Sequence, residues 1–129
     1  MKKVLIVLAV LAGVVVLAFG GFALFMNNGK AATEQLAIAP VNPAGLADGE
    51  YEGGYNGGRF TNQVTVTVKG GKITAIDVKK TVALERKETT QDLINDVITA
   101  QNTDVDVKSG ATITSKAYLK SIEDALGSK

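Results

Sequence analysis

The sequence predicts an α+β domain carried behind a transmembrane helix: a small antiparallel sheet covered on one face by two C-terminal helices. Three observations predict it. Residues 4–26 form an uncharged apolar run. Residues 63–79 alternate, or nearly so, around a Gly-Gly pair. Residues 89–127 switch to a helical period. Strands first and helices last is the order of an α+β unit.

Of the 23 residues from Val4 to Met26, 20 are hydrophobic, and Met1-Lys2-Lys3 precedes them. At about 1.5 Å per residue the run spans roughly 34 Å, enough for a hydrocarbon core of about 30 Å. A cleavable signal peptide needs an apolar region of only about 7–15 residues. Residues 1–26 therefore read as a retained signal anchor, with cleavage after a small residue as the alternative. Lys2 and Lys3 favour a cytoplasmic N-terminus. The expected location is the cell membrane, single-pass, with the C-terminal domain extracytoplasmic and the lipid bilayer as one partner. Residues 27–47 contain both prolines, Pro40 and Pro43, and read as a flexible linker. As a coil they reach about 25 Å. The folded domain then occupies residues 48–129.

Composition narrows the chemistry. The chain of 129 residues has no Cys, no His and no Trp. Disulfides, Fe–S clusters, thiolate nucleophiles and c-type haem attachment are excluded by the first absence. Imidazole bases, Ser-His-Asp triads and His-ligated metals are excluded by the second. No metal site is expected. Outside Val4–Met26, 39 of 106 residues are hydrophobic, about 37%, so the exported part is rather polar. From Asn27 onward there are 12 basic and 13 acidic residues, a balance that argues against nucleic acid.

Asp48–Tyr55 suits a first strand, with Tyr51 and Tyr55 as its large side chains, and Asn56-Gly57-Gly58 a turn. Gln63–Val68 alternates strictly, with Val64, Val66 and Val68 on one face. Gly70-Gly71 forms a two-residue hairpin loop. Lys72–Lys79 returns, but Ile73 and Ile76 have opposite parity, so either a bulge resets the phase or both faces are partly covered. Thr81–Lys87 is a further strand or a loop. Thr89 caps a helix with Asp92 completing a capping box. Leu93, Ile94, Val97 and Ile98 form its apolar stripe, and it ends near Gln101. A second helix starts after Thr114 or Ser115. Its stripe is Tyr118, Leu119, Ile122, Ala125 and Leu126, closed by Gly127.

The connector between the helices is dense in hydroxyls and small residues: Asp106-Val107-Lys108-Ser109-Gly110-Ala111-Thr112-Ile113-Thr114-Ser115. Gly110 permits a tight turn and Ala111 adds no bulk, so Thr112 can be presented openly. The helix behind it offers unpaired amides and the positive end of its dipole, which favour a phosphate. A plain interhelical turn, capped by Thr114 or Ser115, is the competing reading.

The stretch Asp106–Thr112 resembles the Asp-x-x-(Ser/Thr)-Gly-Ala-Thr acceptor motif of the FMN-binding domain family. Those domains are similar to the C subunit of sodium-pumping NADH:quinone reductase and the G subunit of the Rnf complex. The resemblance also runs through Asp48–Gly53, Val64–Val78, Ala100–Asp106, Ser109–Ser115 and Ile122–Leu126. It implies covalent FMN on Thr112, transferred from FAD by a magnesium-assisted flavin transferase. By the same resemblance Asp106, Ser109, Gly110, Ala111 and Thr112 are what the transferase recognises. Ser109, Gly110, Ala111, Thr114 and Ser115 join Thr112 as cofactor-binding residues. The implied function is an electron-transfer carrier rather than a stand-alone enzyme, working between a membrane redox donor and an extracytoplasmic acceptor. The alternative is a surface binding or sensor domain that holds FMN non-covalently, or none. Larger relatives often carry Glu-Thr-Pro-Gly before the first helix; here Glu88-Thr89 is followed by Thr90-Gln91. Glu88, Thr89, Tyr51, Tyr55 and the Asn56–Gly58 turn are candidates to surround the ring. Lys79, Lys80, Arg86 and Lys87 form a basic cluster, a solvated face or a docking patch.

Overall fold

The computed structural model describes residues 1–127. The last two residues of the expected domain, Ser128 and Lys129, lie outside the described residues. The elements run α1 (Lys2–Asn27), α2 (Lys30–Glu34), β1 (Gly49–Tyr55), β2 (Asn62–Lys69), β3 (Lys72–Lys80), α3 (Lys87–Ala100) and α4 (Thr112–Gly127). The sheet is antiparallel in the order β1-β2-β3, and α4 lies across β1 and β2 while α3 packs on β3. The α+β class with a long apolar N-terminal helix is therefore as the sequence predicts. None of the residues of α1 is buried, and the helix is long and apolar enough to cross a membrane.

The parity conflict in β3 is resolved by bulges. Val68 pairs with Ile73 and Thr67 with Ala75, so Thr74 is the extra residue. That insertion turns both Ile73 and Ile76 into the core, where each is buried. A second shift leaves Lys79 unpaired between Val78 and Lys80. The outer side of β3 is engaged by Gln101, whose side chain accepts from Ile73 N–H at 2.6 Å and donates to Ile73 C=O at 2.9 Å. Gln101 thus acts as one residue of a missing fourth strand.

The core joins Val64, Val66 and Val68 to Leu93, Ile94 and Val97 of α3 and to Tyr118, Leu119 and Ile122 of α4. Close packing of α4 on β1 depends on Gly53. A Cβ there would stand 2.1 Å from Ser121 C=O and 2.4 Å from Ala125 N, closer than any side chain tolerates. A buried polar pair ties the same seam: Ser121 Oγ donates to Asn62 Oδ1 at 2.5 Å, and Asn62 Nδ2 donates to Phe60 C=O at 3.1 Å.

Both domain helices start earlier than expected. Arg86 flanks α3, so Thr89 lies inside the first turn and does not cap it. Thr112, not Thr114 or Ser115, opens α4. Thr81–Arg86 is a loop rather than a strand. Residues 27–47, expected as a flexible linker, lie against the domain in this structure. The Thr33 hydroxyl is buried between Gly29 C=O at 2.7 Å and Tyr55 OH at 2.8 Å. Ala39 N–H donates to Glu123 at 2.6 Å, Ala39 C=O accepts from Thr103 Oγ1 at 2.7 Å, and Val41 and Pro43 are buried.

Candidate functional site

The connector reaches α4 through a turn with a definite geometry. Ala111 N–H donates to Lys108 C=O at 2.9 Å, and Gly110, the third residue of that turn, has φ +76°. A positive φ at this position is the mark of a type II turn, which needs Gly. Lys108 is held at both ends. Its N–H donates to Ser115 Oγ at 3.2 Å, and its ammonium pairs with Asp96 of α3. The Asp96 carboxylate, through that bond, raises the Lys108 pKa above the ordinary ammonium value.

Helix α4 follows without a side-chain cap. Its first internal bond is Ser115 N–H to Ala111 C=O at 2.8 Å. Among the described residues no side chain accepts from the amides of Thr112, Ile113 or Thr114. Thr112 is exposed and its hydroxyl makes no hydrogen bond among the described residues. A free hydroxyl, three free amides and the positive end of a 16-residue helix therefore coincide.

Two clefts flank this point and share Gly110, Ala111 and Thr114 as a common wall. The first, about 210 Å³, lies between the starts of α3 and α4; Thr89, Thr90 and Leu93 face Ser115 and Tyr118 across it. Its rim is the 81–86 loop, where Leu84 is exposed with φ +61°. A left-handed β-unbranched residue is uncommon, and such backbone is held by its surroundings. Here the hold is plain: Ala83 N–H donates to Arg59 C=O at 3.1 Å, and Val82 N–H donates to the buried Tyr118 hydroxyl at 2.9 Å. Tyr118 donates in turn to Glu85, which also accepts from Thr90 Oγ1 at 2.8 Å. Burial, then the Glu85 carboxylate, pushes the Tyr118 phenol well above its usual pKa.

The second cleft, about 380 Å³, contains Thr112 and Ile113 and is closed by Met26 and Asn27 of α1, Lys30 of α2, Arg59 and Phe60. The site thus sits where the apolar helix meets the domain. Of the residues singled out from sequence, Gly110, Ala111, Thr112, Thr114 and Ser115 line one cleft or both, and Thr89 and Arg86 line the first. Ser109 and Asp106 are exposed beside the clefts and line neither. Tyr51 and Tyr55 line neither; their hydroxyls bond Ala47 C=O at 2.6 Å and Thr33 Oγ1 at 2.8 Å. Glu88, Lys79, Lys80 and Lys87 are exposed and also stand outside them. Arg59, Leu84 and Glu85 were not singled out by the sequence. The one available signal was a lone Arg directly after the Asn56–Gly58 turn.

Fold and site together define a small α+β domain in which two clefts flank the start of α4. The family model described as FMN-binding domain matches residues 54–127, more than half of the chain. The chain belongs to the FMN-binding domain family, and its domain has a flavin-binding role. No curated protein matches it. The residues present suit FMN: free amides, Arg59 and Arg86 for its phosphate, and apolar walls at Leu84, Leu93 and Ile113 beside the polar ones for its ring.

Proposed function

We propose that this chain is a membrane-anchored, extracytoplasmic electron carrier whose FMN is esterified through phosphate to Thr112. The observation that carries this reading is the unbonded, exposed Thr112 hydroxyl at the uncapped start of α4. In maturation, Thr112 Oγ1 forms a new bond to the phosphorus of the FMN half of FAD. The bond from that phosphorus to the AMP oxygen breaks, AMP leaves, and the threonine proton passes to a base of the flavin transferase. Exposed Asp106 and Ser109, with Gly110 and Ala111, form the surface the transferase reads. Gly110 sets the turn that holds Thr112 outward.

Once attached, the flavin supplies the redox chemistry, and the chain's residues do the positioning. The amides of Thr112, Ile113 and Thr114 receive the phosphate oxygens. Leu84, Leu93 and Thr89 form the walls available to the ring. Helix α1 keeps the site at the membrane surface, within reach of a membrane redox donor, with the acceptor on the extracytoplasmic side. Expressed with a flavin transferase, the full chain should fluoresce as a band in a denaturing gel. Loss of all fluorescence on denaturation would instead favour a domain holding FMN non-covalently.

A further inference from the structure

Arg59 is the cation that both clefts have in common. It is half-buried, and its guanidinium is fixed before any ligand arrives. Nε donates to Met26 C=O at 3.1 Å, Nη1 donates to Ala83 C=O at 2.9 Å, and the group lies over the Phe60 ring at 4.2 Å from its centroid. Met26 is in the last turn of α1, so its carbonyl carries the negative end of that helix dipole. A guanidinium has five N–H donors; these two carbonyls take two of them. No ion pair among the described residues involves Arg59. The charge is therefore held rigidly, beside the wall formed by Gly110, Ala111 and Thr114, with no carboxylate at ion-pair distance among the described residues, while Glu85 lines the same first cleft.

A rigid guanidinium with free N–H groups and no ion pair among the described residues suits a phosphate oxygen better than any neutral acceptor. We infer that Arg59 is the counter-ion of the flavin phosphodiester, a positioning residue that fixes the phosphate between the two clefts. The inference rests on the reading that Thr112 carries FMN. It adds a consequence: the arginine that meets the phosphate also grips the end of α1 and the 81–86 loop, so loading the cofactor stiffens the junction between anchor and domain.

The test compares the flavinylated and unmodified full chain in detergent for wild type, Arg59→Lys and Arg59→Gln. The quantity read is the melting temperature of the loaded form minus that of the unmodified form, which cancels the structural role of Arg59. Wild type should gain about 4 °C on loading, Arg59→Lys part of that, and Arg59→Gln nothing or a loss. An Arg59→Gln gain equal to wild type overturns the inference. If Arg59→Gln does not fold, the phosphorus NMR shift decides: Arg59→Lys must move the phosphodiester resonance and the outlying Lys87→Gln must not. An unmoved resonance in Arg59→Lys overturns the inference. Failure of wild type to gain FMN mass is a separate outcome, which overturns the Thr112 reading and this inference with it.

Discussion

Two helix starts face each other across the first cleft, and they use threonine in opposite ways. At the start of α3, Thr90 is buried and its hydroxyl bonds Glu85, which is itself bonded to Tyr118. At the start of α4, Thr112 is exposed and its hydroxyl bonds nothing among the described residues. The first threonine is consumed by the fold and the second is left over. Neither start has a side-chain cap among the described residues, so the difference lies in the threonine hydroxyl: that of Thr90 holds the loop above it, and that of Thr112 is free to hold something else.

The contrast is broken most severely at Tyr118. Tyr118→Phe leaves Glu85 and Val82 N–H without their shared partner and should cost about 2 kcal/mol, read by denaturant unfolding. The same pair makes the difference pH-dependent. The phenol is harder to ionise in the folded state than in the unfolded chain, so its contribution is complete below about pH 10 and declines progressively as pH rises beyond it. The stability gap between wild type and Tyr118→Phe should therefore narrow as pH rises beyond about 10.

Thr90→Val deletes one bond to Glu85 while keeping shape, and should cost about 1 kcal/mol. Across the cleft, Gly110→Ala meets only Arg86 Nη1 at 3.9 Å, so its cost is backbone strain at φ +76°, about 1 kcal/mol. Its larger consequence should be slower flavinylation, measured as FMN mass gained per unit time. Smallest in stability is Thr112→Val, within about 0.5 kcal/mol, because the hydroxyl removed bonds nothing among the described residues. A large thermal destabilisation in Thr112→Val would mean that the two helix starts are alike after all.

How much of this was legible in the sequence follows from what is local. The alternation of Val64, Val66 and Val68 and the Gly70-Gly71 turn announce β2 and β3, because register and turn chemistry are set by neighbours along the chain. The opposed parity of Ile73 and Ile76 left a bulge or cover on both faces as alternatives; the bulge at Thr74 emerges only when β3 is paired with β2. The acceptor turn was legible for the same local reason, since Gly110 and Thr112 are two residues apart. The helix starts were missed because Thr89 and Ser115 look like caps in isolation. Ser115 instead accepts from Lys108 N–H, and the 81–86 loop, held by Tyr118, brings Arg86 into the flanking position of α3. The role of Arg59 was hidden because its partners, Met26 and Ala83, lie 33 and 24 residues away. The docking of residues 27–47 was hidden likewise: small residues such as Thr33 and Ala39 signal nothing until Tyr55, Glu123 and Thr103 come to meet them.

The central claim is that Thr112 alone takes the cofactor. Intact mass of the full chain after maturation with a flavin transferase tests it most directly. Wild type should gain the mass of FMN less water, and Thr112→Ala should gain nothing while remaining folded. An equal gain in Thr112→Ala, or no gain in wild type, would contradict it.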